Sequence, residues 1–297
     1  MRVMFQSAKT LTKRFYFSSQ SIMAKSKFEY VKEFEQEAKC LPNCWIVVRV
    51  DGKGFHKFTE RHNFEKPNDS RGLTLMSRAA ADVFQVFKDI VVGFGHSDEF
   101  SFVFRKSTNE YNRRAEKLSS LVASQFSSSY VFHWNEYFPD IKLLYPPAFD
   151  SRIVLYPTDE NLKDYLSWRQ ADVHVNNLYN LCFWSLVLKS GLSPSEAELR
   201  LRGTLSGEKN ELLFQEFGIN YNNEPQMFRK GTTLLRKSVN FPDSSKRVVV
   251  VQYYCDIIKK PFWDDHPEIL KAGKTPEVEF VDGLNYFELK KQGERKE

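Results

Sequence analysis

The run Trp45-Ile-Val-Val-Arg-Val50 constrains the fold more than any other stretch of this chain. Packed β-branched residues without helical spacing suit a buried strand, and the run stops at Asp51-Gly-Lys-Gly54. Leu73, Met76, Ala80, Val83, Phe84 and Phe87 then recur at helical spacing, with Asp69 or Ser70 before them as cap. Ile90–Phe94 and Phe100–Phe104 read as two strands around Gly95-His-Ser-Asp-Glu99. A long helix is expected from Thr108 to Tyr130, and Pro146-Pro147 breaks the chain before a strand at Arg152–Tyr156. Strand–helix–strand–strand–helix–strand is the order of a ferredoxin-like or palm-type α+β fold, an antiparallel sheet flanked by helices.

Outside this unit, Ser26-Lys-Phe-Glu29 has the form of a capping box, so a first helix is expected to run to Lys39. From Thr158 the chain reads as mainly helical, with a second capping box at Ser193-Pro-Ser-Glu196 and short strands at Thr232–Arg236 and Val248–Tyr254. The division implied is residues 1–22 as a leader or tail, 23–157 as the palm-like domain, and 158–297 as a helical C-terminal half packed on it. Residues 1–22 are basic, rich in Ser and aromatics and free of acids, the composition of a mitochondrial transit peptide; a disordered tail reads equally well. Met23 offers a second start, so cytoplasmic and mitochondrial forms are both expected.

The net charge of +5 is carried by Arg2, Lys9, Lys13, Arg14 and Lys25, which leaves the rest of the chain close to neutral. Any nucleic-acid footprint must therefore be a local patch. No apolar run approaches the ~20 residues of a bilayer span. Cys40, Cys44, Cys182 and Cys255 form neither CxxC pairs nor a Cys/His metal spacing, which argues for reduced thiols. Neither a Walker A motif nor GxGxxG is present, so a P-loop and a dinucleotide fold are not expected.

Asp51 follows a buried strand, and Asp98 and Glu99 lie at the tip between two others. By itself Asp-Gly is a turn signature and Asp-Glu a solvated hairpin tip. A sheet that brings the two sites together, however, makes converging carboxylates of the kind that bind Mg²⁺. Gly52 and Gly54 allow a backbone to approach closely, and the amides between them can cradle phosphate oxygens. Lys53, His56 and Lys57 add positive charge, and Ser97 adds a hydroxyl.

Arg49-Val-Asp-Gly-Lys-Gly-Phe-His56 resembles the first metal motif of the tRNA-histidine guanylyltransferase family. His62-Asn-Phe-Glu-Lys-Pro-Asn-Asp69 is similar to the segment that follows it there, and Ser97-Asp-Glu-Phe-Ser-Phe-Val-Phe104 to the second metal motif. Asp172-Val-His-Val-Asn-Asn-Leu-Tyr-Asn180 resembles the family's histidine–asparagine signature. Lys209-Asn-Glu, Asn220-Tyr-Asn-Asn-Glu-Pro225 and Arg229-Lys-Gly231 extend the likeness, which spans about Ala24 to Gly231.

The resemblance implies addition of a guanine nucleotide to the 5′ end of histidine tRNA, using ATP, GTP and two Mg²⁺ ions, by a homotetramer. It implies Asp51, Asp98 and the Gly52 carbonyl as metal ligands, with Glu99 linked to catalysis. It places the triphosphate on Gly52, Lys53, Gly54, Phe55 and His56 near Ser97, and ties Lys66, Asn68 and Asp69 to nucleotide handling. His174, Asn177, Lys209, Arg229 and Lys230 match positions that meet the activated 5′ end or the tRNA. Read without it, the 176–183 stretch is a plain helix face with Leu178, Cys182 and Phe183 in the core, and Lys209 is a surface residue. A general 3′–5′ RNA-repair polymerase and a non-catalytic RNA-binding protein are the rival functions.

Overall fold

In the computed structural model, which describes residues 26–240 and 246–271, six strands form one antiparallel sheet. They are β1 (Trp45–Gly52), β2 (Ile90–His96), β3 (Glu99–Phe104), β4 (Phe149–Tyr156), β5 (Thr232–Asn240) and β6 (Lys246–Tyr253). Their order is β4-β1-β3-β2-β5-β6. The first four places are the split arrangement expected of a ferredoxin-like α+β fold. The two strands after Gly231 continue that sheet, because β5 pairs with β2 from Val92↔Leu235 to Gly95↔Thr232. The leader reading of residues 1–22 and the start at Met23 lie outside the described residues.

Alternation along the strands sorts the sheet into two faces. Ile46, Val48, Val50, Phe100, Phe102 and Phe104 point to one side. There they pack on α2 (Ser70–Val86), through Leu75, Met76, Ala79 and Phe84, and on α3 (Ala115–Phe132), through Leu118, Val122 and Phe126. Trp45, Val47, Val92, Phe94 and Val103 point to the other side and pack on Leu162, Tyr165, Leu166 and Val173 of a 32-residue helix, Asp159–Ser190. Between α3 and this helix lies the short α4 (Trp134–Tyr137), so the long helix is α5. Thr158 caps it, accepting from the Asn161 amide at 3.1 Å, and Gly191 at φ 71° ends it. Its second half leaves the sheet and forms a third core with α6 (Pro194–Leu201) and α7 (Ser206–Phe217) through Leu178, Cys182, Leu186, Leu201 and Leu213. Two more short helices follow, α8 (Gln226–Lys230) and α9 (Lys260–Asp265). Among the described residues no helix is long and apolar enough to cross a membrane.

Two expected helices differ. Residues 26–37 form a unit of their own, containing only a 3-10 turn, Glu29–Phe34. Phe28, Val31 and Phe34 recur every third residue, which is the 3-10 period, and none is buried. The helix expected from Thr108 begins at Ala115 instead. Tyr111, Asn112 and Arg113 take left-handed φ of 49°, 54° and 59°. Such strain persists only where surroundings over-determine it. Here the buried Arg113 guanidinium donates to the carbonyls of Cys40 (3.2 Å), Lys106 (3.1 Å), Thr108 (2.9 Å) and Cys44 (3.1 Å), and also to that of Leu41.

Replacing Arg113 strands several buried carbonyls at once. Arg113→Ala should lower stability by at least about 3 kcal/mol, read as a reduced urea midpoint with an unchanged slope. A loss below about 1 kcal/mol would mean that the guanidinium is not what holds the turn.

Candidate active site

The register of the sheet assembles the site. Asp51 stands opposite both Asp150 and Glu99, and Glu99 stands opposite His96. Direct partners share a face, so these four side chains form a row across the strand ends on the side of α5. Asp98 sits at the two-residue tip joining β2 to β3. Ser97 enters that tip at φ 56°, a left-handed value uncommon outside glycine, and its hydroxyl donates to Asp98 Oδ1 at 3.0 Å. The Gly52 amide donates to the Asp98 carbonyl at 3.0 Å, tying the tip to the end of β1.

Helix α5 runs over this row. The Tyr165 hydroxyl and Ser101 Oγ share a 2.7 Å hydrogen bond, and one turn on Arg169 NH1 donates to both Glu99 oxygens at 3.0 and 3.2 Å. Arg49 Nε is a second cation for Glu99, at 3.5 Å. Arg169 is only 9% exposed, stacks on Trp168 at 3.6 Å and lies 3.6 Å from Asp172. Glu99 is thus neutralised by protein. Asp51 and Asp98 have no ion-pair partner among the described residues. Burial pushes the Asp98 carboxyl up. The Ser97 hydroxyl opposes that rise, and the Asp51 and Glu99 charges add to it.

This donor set fits a hard divalent cation. Two uncompensated carboxylates, one of them shifted against ionisation, would be relieved by positive charge. No cluster of three or more His, Cys, Asp or Glu among the described residues is placed to hold a metal alone. Mg²⁺ suits such a site, because it commonly takes only one or two carboxylates and fills its shell with water and substrate phosphates.

The row opens into a cleft of about 600 Å³. Asp51, Phe55, His56, Lys66, Asn68, Asp69, Ser97, Asp98 and Glu99, all read as site residues from sequence, line it. Lys53 is exposed on the turn before α1 (Phe55–Arg61), and Gly54 caps that helix at φ 64°. Lys66 Nζ lies 5.3 Å from the Trp184 ring centre, and burial lowers its pKa. Asp69 caps α2, accepting from the Arg71 amide (3.0 Å), the Glu65 amide (3.0 Å) and the Arg71 side chain (2.7 and 3.0 Å), so its oxygens are used in shaping the 65–69 loop.

His174, Asn177, Lys209, Arg229 and Lys230 are not in the lining. Asn177 accepts from Asn68 at 2.9 Å and donates to the Tyr221 hydroxyl at 3.0 Å, tying the cleft loop to α5. The His174 ring meets Tyr221 edge-on at 5.3 Å; burial lowers its pKa, with Lys230 and Arg229 adding to the effect. Lys230 Nζ meets Asp256 at 3.3 Å. Lys209 donates to the Thr204 carbonyl and hydroxyl at 2.6 and 2.8 Å, which makes it the staple of the α6–α7 turn.

Sequence reasoning missed Arg169, Arg49 and the aromatic end of the cleft. Arg49 carried a signal, a charge inside a β-branched run and on the face of Asp51. Arg169 carried none, since nothing local marks it apart from other helical arginines. Phe183, read as core, is half-buried and lines the cleft, whereas Leu178 and Cys182 are buried as expected.

Carboxylates at the end of a palm-type sheet, beside a glycine-bearing turn and an open cleft, make a candidate nucleotidyl-transfer site. A family model described as tRNAHis guanylyltransferase matches residues 28–157, and one described as Thg1 C terminal domain matches 160–252. The chain is 56% identical over 265 residues to a probable tRNA(His) guanylyltransferase of Mus musculus, covering 84% of this chain and 89% of that one. The crystal structure of tRNA(His) guanylyltransferase from Saccharomyces cerevisiae superposes with a TM-score of 0.68 at 48% identity, over 75% of this chain and 95% of that one. A bacterial Thg1-like protein solved in complex with ATP shares the fold, with a TM-score of 0.65 at 21% identity over 82% and 99% of the chains. The chain belongs to the tRNA(His) guanylyltransferase family and is a nucleotidyltransferase.

A Cβ at Gly52 would run into the Phe55 ring and come within 2.9 Å of Asp98 Cβ. Gly52→Ala should therefore displace the hairpin tip, costing about 1–3 kcal/mol of stability and roughly 10²-fold in turnover. Urea titration and a guanylylation assay read the two effects, and near-normal turnover would show that the tip tolerates displacement.

Proposed function

We propose that this enzyme adds one guanine nucleotide to the 5′ end of histidine tRNA. The observation that carries the proposal is the uncompensated Asp51–Asp98 pair at the mouth of the cleft, in a chain of this family. The tRNA 5′-phosphate attacks the α-phosphorus of ATP, and pyrophosphate leaves. The GTP 3′-hydroxyl then attacks the activated 5′-phosphorus; its proton is lost and AMP departs. Water finally removes pyrophosphate from the added nucleotide.

Asp51, Asp98 and the Gly52 carbonyl would hold two Mg²⁺ ions. When bound, these ions would lower the pKa of the incoming hydroxyl and neutralise the triphosphate. The chain's own groups position the reactants. The amides from Gly52 to His56, with Lys53 and Ser97, take the triphosphate. Lys66 and Asn68 meet the nucleotide within the loop that Asp69 shapes. Arg229 and Lys230 offer cations to the RNA end beside the His174 ring, whose protonation burial and these same cations disfavour, and Asn177 and Lys209 fix the elements around them. Glu99, clamped by Arg169 and Arg49, acts from behind the metal carboxylates.

With so little net charge, a tRNA-sized surface fits a homotetramer that pools local patches. Residues 1–22 would direct a mitochondrial form, with a start at Met23 supplying the cytoplasm. Fluorescent fusions beginning at Met1 and at Met23 test this by where each accumulates.

Asp98→Ala should keep its fold and lose roughly 10³-fold or more in turnover. The assay combines 5′-monophosphorylated tRNA transcripts, ATP, labelled GTP and Mg²⁺. Label entering histidine tRNA alone supports the proposal. Label in truncated tRNAs of any anticodon would indicate a general repair polymerase, and near-normal activity of Asp98→Ala would sink the two-metal reading.

A further inference from the structure

The mechanism above draws mainly on the carboxylate end of the cleft, with Lys66 reaching further. Its other end is aromatic. Tyr179 and Phe183, one turn apart on α5, set their rings 13° from parallel with centroids 6.3 Å apart. Trp184 meets Phe183 edge-on at 5.2 Å. One ammonium group of the cleft flanks this wall, Lys66 at 5.3 Å from the Trp184 ring centre; Lys209, 5.9 Å from that of Tyr179, is outside the lining and held by Thr204. The exposed Asn180, between Tyr179 and Phe183 in sequence, lines the same cleft, and no hydrogen bond to its amide is made within the described residues.

We propose that this wall is a stacking site for the 5′-terminal nucleobase of the acceptor RNA, with Tyr179 and Phe183 beneath the base and Asn180 at its edge. This rests on the nucleotidyl-transfer reading above. Aromatic faces accept any base, and a side-chain amide offers a donor and an acceptor to its edge. The Lys66 ammonium beside Trp184 suits a phosphate.

The reaction's own needs decide between the RNA and a mononucleotide. Arg169 touches Glu99 beside the metal carboxylates, and Phe183 lies fourteen residues further along a continuous helix. At 1.5 Å per residue this is roughly 21 Å of helix. The proposed mechanism places a mononucleotide on the Gly52–His56 turn, Lys66 and Asn68, and gives it no contact with Tyr179 or Phe183. Adenylylation brings the RNA-terminal nucleotide into the cleft beside ATP, and its base is the one these rings are free to meet.

The test uses the full chain and a 5′-monophosphorylated histidine tRNA carrying 2-aminopurine as its first nucleotide. Stacking should quench its fluorescence on binding. Asn180→Ala, at an exposed position, and Phe183→Leu, which keeps apolar volume in a half-buried one, should each reduce the quench. Each should also raise the KM for tRNA by about 5- to 150-fold, with the KM values for ATP and GTP unchanged. Phe183→Tyr should behave as wild type, and urea midpoints check that each variant is folded. A rise in KM for ATP or GTP with that for tRNA unchanged would assign the wall to a mononucleotide and overturn the proposal. Equal quenching by wild type and folded variants would reduce the wall to packing. If wild type transfers no guanylate to any RNA, the functional reading fails, and the quench still judges the stacking site by itself.

Discussion

Asp51 and Asp98 are carboxylates held beside one another by backbone hydrogen bonds, with no side-chain cation of the described protein between them. The strand register that pairs Asp51 with Glu99, and the Gly52 amide that grips the Asp98 carbonyl, fix their separation. Burial raises the Asp98 carboxyl, and the like charges of Asp51 and Glu99 add to that rise. The large aromatic core on the far face, with Phe100, Phe102, Phe84 and Phe126 in contact, supplies the rigidity that keeps the pair from relaxing apart. Carboxylates buried and fixed in this way would be relieved by positive charge brought to them.

Helix α5 is the element that carries this arrangement into the rest of the molecule. Four residues of helix rise by about 6 Å, and two residues of strand by about 6.6 Å. Tyr165 and Arg169 therefore fall in step with Ser101 and Glu99 as α5 runs back along β3. The same helix sends Gln170 to the carbonyls of Lys230 and Cys255 at 2.8 and 2.9 Å, locking the segments before β5 and after β6. Further along, Asn177 takes the cleft loop through Asn68. One stiff rod sets the positions of the carboxylate row, the cleft loop and the aromatic wall.

Much of this was legible in the sequence, and the reasons are local. The β-branched run before Asp51 and the paired strands around Asp98 announce themselves through periodicity, so the sheet and its carboxylates could be placed. Register could not be read, because only the hydrogen-bond ladder shows that Asp51, Glu99 and His96 form one row. The helix start at Ala115 was missed because the signal lies in Arg113, whose buried guanidinium outweighs the helical propensity of its neighbours. Phe183 reads as core by helical spacing alone. Whether a face of α5 meets another helix or open space is settled by the turn of the chain at Gly191, far in sequence from the strands that form the cleft's other end.

Charge follows the same division between local and global. Beyond the basic first residues the chain sums to about zero, so no broad field favours an anionic substrate. Compensation is made group by group instead. Glu99 receives two guanidinium groups, Asp159 receives Lys106 at 2.6 Å, and Asp256 receives Lys230. Against that background Asp51 and Asp98, lining an open cleft without an ion-pair partner among the described residues, are an exception that a counter-charge from outside the chain would relieve.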